Sequence, residues 1–175
     1  MNFPNILSVS RIFLSIPIII FFENESYLLS IMVYIIASVT DYLDGFLARK
    51  QNLVTEIGAL LDLLADKIFV SIILIWMTFT FESVFILVAS ILIISREIAV
   101  SYLRLFIISN HKKTREVPPD LFGKLKTALQ MVGIGCILIT PITPYFFFNL
   151  SLSLIILGVV FSWYSFFRYL NKWLA

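Results

Sequence analysis

The amino-acid sequence predicts an all-α integral membrane protein with six transmembrane helices. Of the 175 residues, 60% are hydrophobic and 14% are charged, and the mean hydropathy is +0.99, which is far from the balance of a soluble domain. Apolar runs long enough to cross a bilayer recur along nearly the whole chain. Because no stretch is left for a soluble domain, we expect one membrane-embedded domain over residues 1–175.

Polar interruptions divide the apolar sequence into the six expected spans. "ENES" ends the first and "ARKQN" the second, while the two prolines and the charges of "NHKKTREVPPD" end the fourth. The short linker "PITPY" makes the last two spans an antiparallel pair. The first, third, fifth and sixth spans are expected at about residues 6–22, 57–79, 122–140 and 146–168; the second begins near residue 27 and the fourth follows Glu82.

The charges fix the expected orientation, because Lys and Arg near span ends favour the cytoplasmic side. The connections "ENES", "TFES" and "PITPY" hold Glu23, Glu25 and Glu82 and no Lys or Arg. We therefore expect both termini to face the cytoplasm of a bacterial inner membrane. The basic residues on that side are Arg11, Arg49, Lys50, Lys112, Lys113, Arg115, Lys124, Lys126, Arg168 and Lys172.

Four aspartates lie at the cytoplasmic ends of spans two and three. Asp41 and Asp44 are three residues apart, and Asp62 and Asp66 are four apart, so each pair lies on one helical face. If the two spans form a hairpin, the acidic faces converge. Carboxylates at membrane depth repel one another and cost several kcal/mol each unless compensated. The pattern therefore predicts a positive group between them.

Oxygen ligands without His or Cys indicate a hard divalent cation, Mg²⁺, Mn²⁺ or Ca²⁺, rather than zinc. Four carboxylates suit a pair of such ions, and two-metal sites are typical of phosphoryl displacement. Two other interpretations stay open at this point: an ion or proton pathway through the membrane, and acids that merely form salt bridges with Lys67, Arg49 or Arg96.

Two glycines accompany the aspartates. Gly45 follows Asp44 directly, and Gly58 lies one turn before Asp62, although glycine costs about 1 kcal/mol in a helix relative to alanine. Missing side chains here would let a large substrate group approach the backbone. Alternatively, they only allow close packing of the helices.

The combined pattern resembles the signature of the CDP-alcohol phosphotransferases. It reads Asp41-x-x-Asp44-Gly45-x-x-Ala48-Arg49, then eight residues, then Gly58-x-x-x-Asp62-x-x-x-Asp66. The resemblance implies a six-helix, typically dimeric membrane domain with a cytoplasmic site, where an alcohol attacks the phosphate of a CDP-linked lipid and CMP leaves.

The resemblance also assigns roles to individual residues. It implies that Asp41, Asp44 and Asp62 bind metal, and that Asp66 binds a second metal and acts as the base on the attacking hydroxyl. The residues that it implies for the CDP-lipid are Asn5, Arg11, Asp41, Asp44, Gly45, Ala48, Arg49 and Gly58.

Within the family, the chain is most similar to the branch that uses glycerol 3-phosphate as the acceptor. "PNILSVSR", "SREIAVSYLR" and "GKLKT" carry this similarity. Arg96, Arg104, Lys124 and Lys126 are the cations expected to bind the acceptor phosphate. Alternatively, the two lysines are interfacial anchors. Arg96 and Glu97 lie inside an apolar span, where unpaired charge is expensive.

The expected partners follow from this resemblance. They are CDP-diacylglycerol, glycerol 3-phosphate, membrane lipid, two Mg²⁺ or Mn²⁺ ions and a second copy of the chain, with no nucleic acid. The alternative acceptors are an inositol phosphate, serine and phosphatidylglycerol. Membrane prenyltransferases also use aspartate pairs and Mg²⁺ but lack the Gly-x-x-Ala-Arg element, and a transporter is the remaining class.

Overall fold

The computed structural model of the protein describes the backbone of residues 3–50, 56–109 and 121–174, and the side chains of residues 9–40, 61, 64–103 and 125–171. Over these ranges the chain is helical, which confirms the predicted all-α fold. A short 3₁₀ helix covers Thr140–Ile142. The six described α-helices are α1 Phe3–Glu23, α2 Tyr27–Lys50, α3 Glu56–Thr80, α4 Val84–Ser109, α5 Leu121–Ile139 and α6 Phe146–Leu174.

The helix boundaries agree with the predicted spans to within a few residues, except that α6 continues beyond the predicted end at residue 168. Within the described residues, three segments are long and apolar enough to cross a membrane: Val84–Leu103, Leu125–Ile142 and Phe146–Asn171. Tyr27–Thr40 is a shorter apolar helix. The protein therefore has the long apolar helices of a membrane protein, and the count of six spans stays a prediction.

The helices pack in a ring whose order differs from the order of the chain. Neighbouring contacts follow the sequence α1, α2, α5, α6, α4, α3 and close from α3 back to α1. Apolar side chains from all six helices form one buried cluster inside this ring. Its fully buried members include Ile18, Phe69, Ile73, Met77, Ile134, Leu138 and Ile155.

Hydrogen bonds between a side chain and a backbone carbonyl reinforce the ring. In a bilayer no water competes for such groups, so side chains that reach a neighbouring helix hold the two together. Examples between neighbouring helices are Ser30 Oγ to Ile18 O (2.8 Å), Tyr34 Oη to Met131 O (2.8 Å), Ser90 Oγ to Leu74 O (3.4 Å) and Trp163 Nε1 to Leu92 O (3.2 Å).

The α5–α6 pair depends on two glycines. A Cβ atom at Gly133 would lie 2.7 Å from Cγ1 of Ile155, and one at Gly158 would lie 2.9 Å from Cγ of Gln130. Both distances are shorter than real Cβ contacts, so only glycine permits this approach. Gly158 brings α6 against the turn of α5 that carries Lys126 and Gln130.

The end of the ring opposite the aspartates is held by polar contacts of Glu23. Its Oε1 accepts hydrogen bonds from Trp76 Nε1 at 2.8 Å and from Thr80 Oγ1 at 3.1 Å. These bonds join the last turn of α1 to the last turns of α3. The aspartate segments of α2 and α3 consequently lie at the other end, where α4 ends and α5 begins.

A Schellman motif terminates α1. The amide of Ser26 donates to the carbonyl of Phe21 at 2.8 Å, and the amide of Glu25 donates to that of Phe22 at 2.9 Å. Glu25 adopts a φ of 59°, the left-handed region that favours glycine. A non-glycine residue there costs on the order of 1 kcal/mol.

Replacing Glu25 by glycine is therefore expected to stabilise the protein. Relative to Glu25→Ala, which removes the same charge but keeps a Cβ atom, Glu25→Gly should raise the free energy of unfolding by about 1 kcal/mol. Thermal unfolding of the purified protein in detergent measures this difference. Equal stability of the two variants would contradict the strain at this turn.

Candidate active site

The two aspartate pairs lie on helical backbone, as the spacing predicts. Asp41 and Asp44 belong to α2, and Asp62 and Asp66 belong to α3. Each pair therefore lies on one face of its helix. Helix α1 packs against both α2 and α3. The connection expected between α2 and α3 falls on residues 51–55, which lie outside the described residues.

Many of the predicted site residues have side chains outside the described set, and their roles stay predictions. No group of three or more His, Cys, Asp and Glu side chains within the described set could hold a metal ion. Asp41, Asp44 and Asp62 lie outside that set. The predicted site residues outside the set are Asn5, Asp41, Asp44, Gly45, Ala48, Arg49, Gly58, Asp62, Arg104 and Lys124.

Arg11 is buried in the bundle. Its exposed fraction is 1%, which is unusual because a buried guanidinium costs several kcal/mol unless it is compensated. It lies on α1, the helix that contacts both aspartate-bearing helices. The position places a fixed positive charge in the half of α1 that lies nearer the aspartate end.

Asp66 lines a small cavity between α3, α4 and α5. The cavity measures about 40 Å³ and is walled by both polar and apolar side chains. Asp66 itself is half-buried. The polar residues that share this cavity with it are Lys67, Ser71, Glu97, Lys126, Thr127 and Gln130. A predicted catalytic carboxylate and a predicted phosphate-binding lysine therefore face the same enclosed space.

Glu97 is the centre of an ion cluster at this cavity. Its Oε1 is 2.8 Å from Nη1 of Arg96 and also binds Nζ of Lys126, while its Oε2 is 3.6 Å from Nζ of Lys67. The three cations come from α3, α4 and α5. One carboxylate thus pairs with three cations, and these four side chains carry a formal excess of two positive charges.

Three further hydrogen bonds fix two of the cations of this cluster. Nζ of Lys67 donates to Oγ of Ser101 and to the carbonyl oxygen of Glu97, the latter at 3.4 Å. Nε of Arg96 donates to the carbonyl oxygen of Ser162 on α6, at 3.2 Å. The cluster therefore ties α3, α4, α5 and α6 together beside Asp66.

These contacts decide between some of the sequence-based alternatives. Lys126 is 9% exposed and points into the bundle, so the interpretation of this lysine as an interfacial anchor is wrong. Lys67 and Arg96 both bind Glu97, and their pairing with the aspartates stays a prediction, because three of the four aspartate side chains lie outside the described residues. Because Glu97 also compensates Lys126, the burial of that lysine does not by itself require an acceptor phosphate.

Several residues at this site were not predicted to belong to it. Lys67 was expected only as a possible salt-bridge partner of the aspartates, and Glu97 only as a charged residue inside an apolar span. Gln130 was not considered, although it lies one helical turn after Lys126 inside an apolar run. A lone amide on the same helix face as a charged site residue is the signal that could have identified it.

Comparison with known proteins extends the match to nearly the whole chain. The family described as CDP-alcohol phosphatidyltransferase matches residues 1–164. Proteins named CDP-diacylglycerol–glycerol-3-phosphate 3-phosphatidyltransferase are similar to the chain in several bacteria. The protein of Wigglesworthia glossinidia brevipalpis is 41% identical over 143 residues, which cover 79% of this chain and 77% of that protein.

Two other bacteria have relatives of the same name. The Aquifex aeolicus protein is 37% identical over 138 residues, 77% of this chain and 76% of that protein. The Pectobacterium atrosepticum protein is 32% identical over 177 aligned residues, which cover 97% of this chain and 93% of that protein. With a family match over residues 1–164 and relatives above 30% identity across most of their length, the chain belongs to the CDP-alcohol phosphatidyltransferase family.

Proposed function

We propose that this protein transfers a phosphatidyl group from CDP-diacylglycerol to glycerol 3-phosphate and releases CMP. The observation that carries this proposal is the shared cavity of Asp66 and Lys126, at the end of the bundle where both aspartate pairs lie. The names of the relatives support the choice of donor and acceptor.

The four aspartates suit a site for divalent metal. The family is generally dependent on a divalent metal, and carboxylate oxygens are the ligands that Mg²⁺ and Mn²⁺ prefer. We assign two such ions to Asp41, Asp44, Asp62 and Asp66. When bound, they would neutralise the charge that develops on the diphosphate of the donor.

The nucleotide end of the donor is assigned to the same helices. Gly45 and Gly58 offer backbone without a side chain, and Arg49 offers a cation for a phosphate oxygen. The remaining residues assigned to the CDP-lipid are Asn5, Arg11 and Ala48. Their helices α1, α2 and α3 contact one another through α1.

Asp66 is proposed to accept the proton of the attacking hydroxyl. The acceptor oxygen forms a bond to the phosphorus that carries diacylglycerol, while the bond from this phosphorus to the bridging oxygen of CMP breaks. The proton moves to the Asp66 carboxylate, and the electron pair of the broken bond leaves with CMP. The position of Asp66 at the wall of a cavity suits this task, because a base must lie within hydrogen-bond reach of its proton.

The cationic cluster is proposed to bind the phosphate of the acceptor. Lys126 and Arg96 form part of a cluster with excess positive charge, and Lys67 adds a third cation that also pairs with Glu97. A dianionic phosphate would balance that excess. Arg104 and Lys124 are assigned to the same phosphate from their positions near the end of α4 and the start of α5.

Membrane placement and assembly complete the proposal. We propose a single domain over residues 1–175 in a bacterial inner membrane, with both termini and the site on the cytoplasmic side, and a homodimer in the membrane lipid. The connection that begins with Glu23 contains glutamates and no Lys or Arg, which suits the outer face.

The reaction itself is the first expected outcome. Purified protein given CDP-diacylglycerol and Mg²⁺ or Mn²⁺ should release CMP only when glycerol 3-phosphate is added, and a chelator should abolish the release until metal is restored. Release that requires an inositol phosphate, serine or phosphatidylglycerol would identify that compound as the acceptor in place of glycerol 3-phosphate. No release with any alcohol would favour a transporter.

Asp66→Asn should lower the rate of CMP release at least about 100-fold, because removing a general base costs that much or more. The variant should still bind CDP-diacylglycerol with an affinity close to that of the unchanged protein. Glu82→Gln, which removes a carboxylate from the opposite end of the bundle, serves as the matched control and should keep full activity. Abundant CMP release by Asp66→Asn would contradict the assignment of the base.

Lys126→Met should weaken binding of the acceptor alone. The loss of one charged hydrogen bond to phosphate corresponds to roughly a 10-fold or larger rise in KM for glycerol 3-phosphate. KM for CDP-diacylglycerol should stay unchanged. Arg96 and Lys67 remain to compensate Glu97, so the variant should fold. Parallel changes in both KM values would argue against a phosphate-binding role.

A further inference from the structure

The cavity beside Asp66 is too small for a whole acceptor molecule. Its volume is about 40 Å³, which is room for about three water-sized groups. It extends from Asp66 and Lys67 on α3, past Glu97 on α4, to Lys126 and Gln130 on α5. Part of a small polar molecule, such as a carbon with its hydroxyl, fits this space.

Gln130, in the wall of this cavity, carries a buried hydrogen-bond donor. Its exposed fraction is 6%, and its Nε2 atom has no hydrogen-bond partner among the described residues. Buried amide groups in proteins are nearly always hydrogen-bonded, so such a donor indicates a partner that the protein chain does not provide. The side chain is part of the cavity wall, and the cavity is the space where that partner can lie.

Packing against α6 holds Gln130 in this position. Gly158 lies directly behind it, so closely that a Cβ atom there would be 2.9 Å from Cγ of Gln130 and 3.4 Å from the carbonyl oxygen of Lys126. The stem of the glutamine therefore has no room to withdraw towards α6. Lys126, one helical turn earlier, is fixed by Glu97.

We infer that Gln130 is a specificity-determining residue that binds the non-reacting hydroxyl of a phosphorylated polyol acceptor. This inference rests on the proposed function. The phosphate of the acceptor binds the cations around Glu97, and the reacting hydroxyl of the acceptor donates a hydrogen bond to Asp66. The carbon between the phosphate end and the reacting end of the acceptor lies in the cavity. The hydroxyl on this carbon accepts a hydrogen bond from Nε2 of Gln130.

This arrangement favours an acceptor that carries a hydroxyl on its middle carbon. A buried donor left without a partner is costly, so a site built to bind a hydroxyl rejects an analogue that lacks it. Glycerol 3-phosphate carries a hydroxyl on its middle carbon. 3-Hydroxypropyl phosphate has the same chain, phosphate and terminal hydroxyl but lacks the middle one, and it is the matched probe.

The test measures incorporation of labelled glycerol 3-phosphate into lipid, with 3-hydroxypropyl phosphate as competitor. In the unchanged protein, the inhibition constant of the competitor should exceed KM for glycerol 3-phosphate at least about 10-fold. Gln130→Met and Gln130→Leu cannot form this hydrogen bond, and both should bring the ratio of the two constants close to one by raising KM. Ser151→Ala removes a buried polar group of α6 away from the cavity and should keep the original ratio.

The outcomes separate the inference from the proposed function. An unchanged ratio in both Gln130 variants, or a ratio near one in the unchanged protein, overturns the role of Gln130 and leaves the transferase intact. Loss of all CMP release with either acceptor in both variants identifies Gln130 as structural and also overturns it. An unchanged protein that incorporates no glycerol 3-phosphate overturns the proposed acceptor, and the inference fails with it.

Discussion

Charge compensation around Glu97 is the constraint on which the rest of the site depends. Charged side chains at membrane depth are tolerated only in pairs or networks, and here a single carboxylate holds Lys67, Arg96 and Lys126 from three helices. The relative positions of α3, α4 and α5 are thereby coupled. Because Lys67 directly follows Asp66, the same network fixes the turn of α3 that carries the proposed base.

Close helix packing supports this network from behind. Gly158 lets α6 approach the turn of α5 that holds Lys126 and Gln130, and the Ser162 carbonyl of α6 accepts a hydrogen bond from Arg96. Helix α6 carries none of the proposed site residues. Its contribution is to limit where those of α4 and α5 can lie.

One end of the bundle carries a group of acidic residues and, beside it, a group of basic residues. The acidic faces of α2 and α3 suit metal and the diphosphate of a lipid donor, whereas the cationic cluster of α3, α4 and α5 suits a phosphorylated acceptor. Asp66 belongs to both groups, since it closes the aspartate pattern and lines the cavity of Lys126. A reaction between a lipid in the bilayer and a solute in water needs such a site near the helix ends.

The sequence by itself determined the helices and the placement of the aspartates on them. Composition, the breaks at "ENES" and "PITPY" and the spacing of Asp41, Asp44, Asp62 and Asp66 are local properties, and local spacing on a helix sets which side chains share a face. Only the tertiary structure decided that the ring order differs from the chain order and that Glu97 compensates three cations. It also decided that Gln130 faces a cavity, because pairings between residues tens of positions apart depend on packing between helices, which no periodicity within one helix encodes.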